Sequence, residues 1–122
     1  MKKLFISCPM RDLSDEMIKA NREKMHKIAE IVFDQELEVI QTYISQDPPE
    51  GAMAPIWYLG QSIQMMSEAD YYIGVNMPYG YSNECVIDND VAVTYGLQRH
   101  LVVSSILNLP KRTFHNEKNK SK

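Results

Sequence analysis

The sequence predicts an α/β fold built on one doubly wound parallel sheet, with helices on both faces. Short runs of apolar, β-forming residues alternate with longer segments of helical periodicity, and Gly, Pro or charged residues separate the two kinds of segment. Strands joined through helices pair in parallel by right-handed crossovers. The chain has 122 residues, of which 44% are hydrophobic and 24% charged, which is typical of one globular domain and excludes a disordered or collagen-like chain.

An apolar run and a capping residue mark the first strand and the first helix. Residues 2–7 form a short apolar run followed by Pro9, which predicts a buried strand and then a loop. Ser14 is a suitable N-cap, and the acidic side chains that follow it suit the positive end of a helix dipole. Helical periodicity continues to about residue 35, and one face of this helix is expected to carry Ile18, Met25, Ile28, Ala29 and Val32.

The remaining elements complete a flavodoxin/Rossmann-like order. Pro48, Pro49 and Gly51 break the loop after strand two, Pro55 suits a first helical turn, and Gly96 ends the third helix. The predicted elements are strand two at residues 37–40, helix two from about 55 to 69, strand three at 71–75, helix three from about 83 to 95, and strand four at 101–103. We expect one domain over residues 1–108, followed by a polar basic tail over residues 109–122.

Charge is distributed unevenly along the chain. Residues 111–122 contain five basic residues and one acidic residue, whereas residues 1–110 contain eight basic and fifteen acidic residues. The acidic body argues against stable nucleic-acid binding, which needs clustered Lys and Arg. The basic tail is typical of a frayed, solubilising terminus, and contact with RNA or an anionic surface is the alternative.

Other protein classes are excluded by what the sequence lacks. Its apolar runs are far shorter than the roughly 20 residues of a membrane helix, and the N-terminal run is too short for a signal peptide. Cys8 and Cys85 have no CxxC spacing, and no histidine has ligand spacing with them. We therefore expect free thiols, a cytoplasmic protein, and no metal or cofactor. The Gly-rich phosphate loops of ATPases and dinucleotide dehydrogenases are absent.

Side chains suited to chemistry follow the predicted strands. Ligands of open parallel sheets bind in loops after the carboxyl ends of strands, here residues 7–13, 41–54 and 76–82. Asp88 lies in helix three and shares a face with Ala92 and Tyr95. An acid on that face is expected to point toward the sheet, where it needs a partner or a function, and a solvated Asp88 is the alternative. Hydroxyl, carboxylate and guanidinium groups in or beside these loops belong to Ser7, Arg11, Asp12, Ser82 and Glu84. A further acid, Asp70, precedes strand three.

In order and spacing, these residues resemble the nucleoside 2-deoxyribosyltransferase-like family. That family includes nucleotide N-glycosidases and small phage and bacterial relatives of unassigned activity. The resemblance covers about residues 3–105. It rests on Leu-Phe-Ile-Ser-Cys-Pro-Met at residues 4–10, on Asn21-Arg22 and Asp70, and on Ser82-x-x-Cys85-x-Ile87-Asp88-x-Asp90-Val91-Ala92-x-x-x-Gly96.

The resemblance implies an enzyme that cleaves the N-glycosidic bond of a (deoxy)nucleoside or its 5′-monophosphate, by hydrolysis or by transfer to a second base. By position, Asp88 is the carboxylate that attacks the anomeric carbon, and Asp70 is the acid that contacts the base or assists its protonation. Ser82 would meet the 5′ end of the sugar, where a hydroxyl and helix-start amides suit a phosphate. Arg11 would add a charge-assisted contact to the same phosphate.

Aromatic side chains offer a place for the base. Tyr79 and Tyr81 lie in the loop beside Ser82, where they either stack on a base or pack within the protein. Trp57 and Tyr58 favour packing. The resemblance also implies a homo-oligomer whose neighbours complete each other's sites, with the methionines of helix two at the interface.

The sequence departs from the family pattern at the attacking residue. That position is usually Glu, and Asp88 is one methylene shorter, which withdraws the carboxylate by about 1.5 Å. A misplacement of about 1 Å costs on the order of 100-fold in rate. Glu84, one turn earlier, is a substitute that does not match the family position. A catalytically inactive module that senses or sequesters a nucleotide is therefore the alternative function, and a structural assembly subunit is a third. For catalysis, Asp88 must point into a sugar-sized hollow between the loops after strands one and three.

Overall fold

Strands and helices alternate along the chain in a computed structural model that describes residues 1–76 and 82–109. The predicted α/β class is confirmed. The elements are β1 (Lys2–Ile6), α1 (Asp15–Val32), β2 (Leu37–Val39), α2 (Ala54–Met66), β3 (Tyr71–Asn76), α3 (Asn83–Thr94) and β4 (Gln98–Val103), with a short 3₁₀ helix at Ser104–Ile106. None of the helices in the described ranges is long and apolar enough to span a bilayer.

The four strands form one parallel sheet in the order β2-β1-β3-β4. From β1 the chain first crosses to β2 on one side and later returns to place β3 on the other. This reversal makes the carboxyl ends of β1 and β3 the switch point of the sheet, where ligands of open α/β folds bind. The topology therefore directs attention to the residues that follow Ile6 and to those that α3 places against them.

Side chains of alternate strand residues reach opposite faces of the sheet and build two separate cores. Leu4 and Ile6 pack with Met25 and Ala29 of α1 in the larger core. We call this side the α1 face. The smaller core, on the α3 face, contains Phe5, Tyr72, Ala92 of α3, and Met66 of α2. Helices therefore cover both faces, as predicted.

Helix α1 begins as predicted and ends earlier than predicted. The Ser14 hydroxyl accepts a hydrogen bond from the Met17 amide at 3.2 Å. The helix stops at Val32, because Asp34 adopts a positive φ of 53° and turns the chain toward β2. Val32, expected on the buried face, is exposed. Asn21 is buried on that face in a position that apolar periodicity does not reveal.

Two later boundaries also differ from the expectation. Helix α2 ends at Met66, and residues 67–69 turn into β3. Strand β4 begins at Gln98 rather than 101, since the ladder with β3 starts where Tyr71 pairs with Gln98. Its first residues are charged and polar because β4 is an edge strand with exposed side chains. The turn between α3 and β4 uses Gly96, whose φ of 72° is readily adopted by glycine.

Candidate active site

Asp88 is held inside the protein by helix α3. Its side chain is only 6% exposed, and Ala92, one turn later, is buried against the sheet. The expectation that Asp88 points toward the sheet is confirmed. Tyr95 does not share this environment, because it follows the last turn of α3 and is 82% exposed. The buried face of α3 therefore carries one acidic side chain among its apolar residues.

Ser7 is the residue that meets Asp88. The ladder between β1 and β3 continues past Ile6, since the Ser7 amide donates to the Ile73 carbonyl at 2.9 Å. This backbone contact fixes Ser7 at the carboxyl edge of the sheet. Its hydroxyl donates to Asp88 Oδ2 at 2.8 Å within the buried interior. Two residues 81 positions apart in sequence are thus brought together at the switch point.

Burial makes the Asp88 carboxylate unusually basic. Desolvation raises the pKa of Asp88 to about 6, the hydrogen bond from Ser7 opposes that rise, and the charge of Glu84 adds to it. A carboxylate with this pKa is mostly ionised at pH 7 and is a stronger base and nucleophile than a solvated aspartate. Perturbed acids of this kind concentrate at functional sites.

Three buried side-chain polar atoms have no hydrogen-bond partner among the described residues. They are Asp88 Oδ1, the Tyr72 hydroxyl and Asn89 Oδ1. Leaving such a group unpaired in the interior costs about 1–3 kcal/mol. Asp88 therefore has one oxygen that Ser7 satisfies and one enclosed oxygen that has no hydrogen-bond partner among the described residues.

Tyr72 is a member of this cluster that the sequence pattern did not single out. It is fully buried on the α3 face, and its ring stacks on Phe5 with centroids 6.1 Å apart. Gly74, two residues along the same strand, makes room for its hydroxyl, because a Cβ at Gly74 would lie 2.6 Å from that oxygen. The Tyr-x-Gly spacing was visible in the sequence, but its meaning depends on which face carries Asp88.

The two cysteines are buried and unsuited to nucleophilic chemistry. Desolvation raises the pKa of Cys8 to about 12 and also raises the pKa of Cys85. Both remain free thiols, as expected. A thiol that stays protonated at neutral pH is a poor nucleophile, so Asp88 is the better candidate for covalent chemistry in this cluster.

The start of α3 lies one to two turns from Asp88. The Ser82 hydroxyl caps the helix by accepting from the Cys85 amide at 3.4 Å. Glu84 is exposed in the first turn and interacts electrostatically with Asp88. Arg11 is exposed in the turn after β1. Tyr79 and Tyr81, expected to stack on a base, lie outside the described residues.

Asp70 lies at the other end of the sheet. Its Oδ2 accepts a hydrogen bond from the Lys3 amide at 2.8 Å, and its Oδ1 lies 3.9 Å from Lys2 Nζ. Because Asp70 precedes β3, these contacts place it at the amino edge, whereas Ser7 and Asp88 meet at the carboxyl edge. The structure therefore does not bring the two acids expected in one catalytic pair together. Asp70 instead pairs with the start of β1.

A groove of about 350 Å³ lies on the α1 face rather than beside Asp88. It is lined by residues of α1 with Ile6 and Val39, including Ile18, Arg22 and His26. The hollow expected next to Asp88 would be bounded by residues 77–81, which fall outside the described part of the chain. Among the described residues, no group of three or more His, Cys, Asp or Glu side chains is arranged to hold a metal ion.

Comparisons with protein-family models, curated proteins and solved structures found no match to this chain. The class that its own geometry defines is a doubly wound α/β domain with a buried, hydrogen-bonded carboxylate at the switch point of the sheet.

Proposed function

We propose that the protein cleaves the N-glycosidic bond of a (deoxy)nucleoside or its 5′-monophosphate, with Asp88 as the nucleophile. The observation that carries the proposal is the buried Asp88 carboxylate, hydrogen-bonded to Ser7 at the carboxyl end of β1. Structural acids are seldom buried without a cationic partner, and within residues 1–76 and 82–109 one oxygen of this acid has no hydrogen-bond partner. The family resemblance of residues 3–105 supplies the type of reaction.

In the proposed mechanism, Asp88 Oδ1 attacks the anomeric carbon as the bond to the base nitrogen breaks. The positive charge that develops on the sugar is stabilised by the ionised carboxylate, and a covalent glycosyl ester forms. The base leaves with the bonding electrons and takes up a proton. Water, or a second base, then attacks the same carbon and releases the Asp88 carboxylate. The hydrogen bond from Ser7 holds Oδ2 and leaves Oδ1 for the attack.

Two further features bear on the sugar's 5′ end. Ser82 caps α3, so its hydroxyl and the first amides of the helix are suited to a phosphate. Glu84, in the same turn, opposes an anion and favours an uncharged 5′-hydroxyl. The proposal therefore includes both nucleosides and 5′-monophosphates. Asp70 has no role in it, because the amino-edge contacts with Lys2 and Lys3 occupy this acid.

The proposal is tested by incubating the protein with a panel of nucleosides and their monophosphates and measuring free base by chromatography. We expect base release from at least one substrate and a loss of about 10³-fold or more in Asp88→Asn, as is usual when a nucleophile is removed. Asp90→Asn is the matched control, since Asp90 is an exposed acid on the same helix. Equal release by wild type and Asp88→Asn would exclude Asp88 as the nucleophile.

A catalytically inactive module that binds a nucleotide is the second candidate. The enclosure of Asp88, together with its short side chain, favours this function, since a retracted carboxylate reaches a sugar less easily than Glu. Calorimetry distinguishes the two functions. Tight binding of a nucleotide without release of base over hours favours the module, whereas turnover excludes it.

We also propose that the protein acts in the cytoplasm as a homo-oligomer and that α2 supplies the interface. No residue of α2 is charged, only Met66 of this helix is buried, and Ile56 is 63% exposed. An apolar helix with so little of its surface covered is typical of a subunit contact. Analytical ultracentrifugation tests this proposal, with Ile56→Lys expected to shift the protein to monomer. A monomeric wild type would contradict it.

A further inference from the structure

We propose that Tyr72 is a positioning residue whose hydroxyl, acting through Ser7, fixes the Asp88 carboxylate with Oδ1 directed at the reacting carbon. This inference rests on the proposed function for its chemical meaning. Its physical content, a network that links Tyr72 to Ser7 and Ser7 to Asp88, is measurable without any substrate. It also assigns a role to the Tyr72 hydroxyl, which the packing of the ring on the α3 face does not explain.

The strand register brings the three side chains to one place. Phe5 pairs with Tyr72 and Ile6 with Ile73, and the contact from the Ser7 amide to the Ile73 carbonyl extends this ladder by one residue. Ser7 therefore lies level with Gly74 on the neighbouring strand. The Tyr72 ring extends over Gly74 on the α3 face, so its hydroxyl reaches the level of Ser7.

Gly74 is the feature that permits this reach. A Cβ there would lie 2.6 Å from the Tyr72 hydroxyl oxygen and 2.8 Å from Cε1, distances that real Cβ atoms do not show. Tyr72 is fully buried and stacked on Phe5, so its ring has little freedom to move aside. Glycine at this position thus makes space for the end of the tyrosine ring.

The hydrogen-bonding capacities of the three groups define the direction of the network. Ser7 has one proton, which it donates to Asp88 Oδ2, and it retains lone pairs that can accept. Tyr72 is the stronger of two donors beside Ser7, because burial raises its pKa and keeps the phenol protonated, and a thiol such as that of Cys85 is a weak donor. In the proposed network, the Tyr72 hydroxyl therefore donates to Ser7 Oγ, and Ser7 donates to Asp88. Ser7 and Tyr72 are neighbours, because the Ser7 side chain opposes the rise that burial causes in the pKa of Tyr72, although their contact falls short of full hydrogen-bond geometry.

Packing alone would favour phenylalanine at position 72. The ring would keep its stacking on Phe5, and the cost of a buried, unpartnered hydroxyl would disappear. A tyrosine whose hydroxyl lies beside Ser7 and interacts with the charge of Asp88 is therefore better explained by a role in the site. Other groups that face this cluster are Glu84 and Cys85 of α3 toward Asp88, and Arg99 of β4 toward Tyr72.

The test compares Tyr72→Phe with Tyr71→Phe. Tyr71 is the matched control, because it packs on the α1 face and its hydroxyl accepts from Gln35 Nε2 at 2.8 Å. The pKa of Asp88 is measured by NMR of its carboxyl carbon in the full chain, without substrate. We expect Tyr72→Phe to raise this pKa above its wild-type value, since a donor that supports the carboxylate is lost, and Tyr71→Phe to leave it unchanged. Ser7→Ala should raise it further, because the direct hydrogen bond is lost.

Base release supplies the second readout. In Tyr72→Phe the acidic limb of the rate profile should move to higher pH with kcat reduced more than KM changes, a loss of roughly tenfold at pH 6 that shrinks by pH 8. An unchanged Asp88 pKa in Tyr72→Phe would overturn the positioning role, even if base release is observed in the wild type. A raised pKa in a protein that releases no base would support the network and remove the proposed function. The two hypotheses therefore fail separately.

Discussion

Each face of the sheet buries polar side chains, and the two faces differ in how completely those side chains are hydrogen-bonded. On the α1 face, Asn21 is 1% exposed, and its amide donates to the Asn108 carbonyl at 3.0 Å and accepts from the Asn108 amide at 2.8 Å. On the α3 face, the described residues give Asp88 a single hydrogen-bond partner, Ser7, and leave its Oδ1 unpaired. A satisfied polar group indicates a structural role, whereas an unsatisfied one costs stability and indicates a function.

This difference also separates two uses of buried polarity. Asn21 joins α1 to the segment after β4, and both of its hydrogen bonds are made to backbone groups of Asn108. Asp88 and Tyr72 form the less stable arrangement, in the position where doubly wound sheets bind ligands. Removing the polar group should therefore lower the free energy of unfolding at Asn21 and raise it at Asp88.

Removing the satisfied group should have the largest effect on stability. We expect Asn21→Ala to lower the free energy of unfolding by about 2–4 kcal/mol, since two buried hydrogen bonds and part of the side-chain volume are lost. Urea denaturation measures the change. Lys19→Ala, an exposed substitution on the same helix, is the control and should cost less than about 0.5 kcal/mol. A cost for Asn21→Ala as small as that of the control would remove the structural side of the comparison.

Removing the charge of Asp88 should raise the free energy of unfolding. Its folded-state pKa of about 6 lies above the ordinary value of 3.8, so the native state loses stability as pH rises from about 4 to 7 and ionisation of the buried acid becomes unavoidable. Asp88→Asn abolishes this loss. We expect the variant to be about 1–3 kcal/mol more stable than wild type at pH 8, and the advantage to vanish near pH 4. Denaturation at both pH values measures it. A variant less stable than wild type at pH 8 would indicate that Asp88 is structural.

Filling the space beside Tyr72 should change the free energy of unfolding by somewhat less than the two substitutions above. We expect Gly74→Ala to destabilise the protein by about 1–2 kcal/mol, because the new methyl group overlaps the buried tyrosine. Gly60→Ala is the control, since nothing lies within 4 Å of its Cβ and alanine favours the helix, so it should be neutral or slightly stabilising. Thermal denaturation compares the two, and equal melting temperatures would contradict the close approach of Tyr72 to Gly74.

The smallest effect distinguishes the two neighbouring tyrosines. We expect Tyr71→Phe to cost about 0.5–1 kcal/mol, because the hydrogen bond with Gln35 is lost, whereas Tyr72→Phe should be neutral or stabilising because its hydroxyl has no partner among the described residues. Urea denaturation of both variants decides. The reverse order would place the structural hydroxyl on the α3 face.

Local sequence signals were enough for the elements and for the inward orientation of Asp88. Ser14 caps α1 through a contact within one turn, as predicted, and the structure adds the same role for Ser82 at the start of α3. The hydrogen bond between Ser7 and Asp88 was not predicted. The sequence indicated only that the loops after strands one and three meet at one edge of the sheet. The stop of α1 at Val32 depends on the positive φ of Asp34, which periodicity does not encode.

Residues whose roles depend on strand register were beyond sequence reasoning. Asp70 matches the family pattern by position, yet its neighbours are Lys2 and Lys3, because parallel pairing sets the start of β3 beside the start of β1. Tyr72 was not singled out by the sequence pattern. Its relation to Asp88 depends on the register of β1 against β3, on Gly74, and on the rotation of α3, all of which are tertiary.

The most direct test of the central claim is to look for the sugar on Asp88. Wild-type protein is mixed with a substrate that releases base, quenched in acid within milliseconds, digested and analysed by mass spectrometry. We expect the peptide that contains Asp88 to carry the mass of one glycosyl group, and the adduct to be absent from Asp88→Asn and present in Asp90→Asn. Base release in wild type with no adduct, or with an adduct on another residue, would show that Asp88 is not the nucleophile.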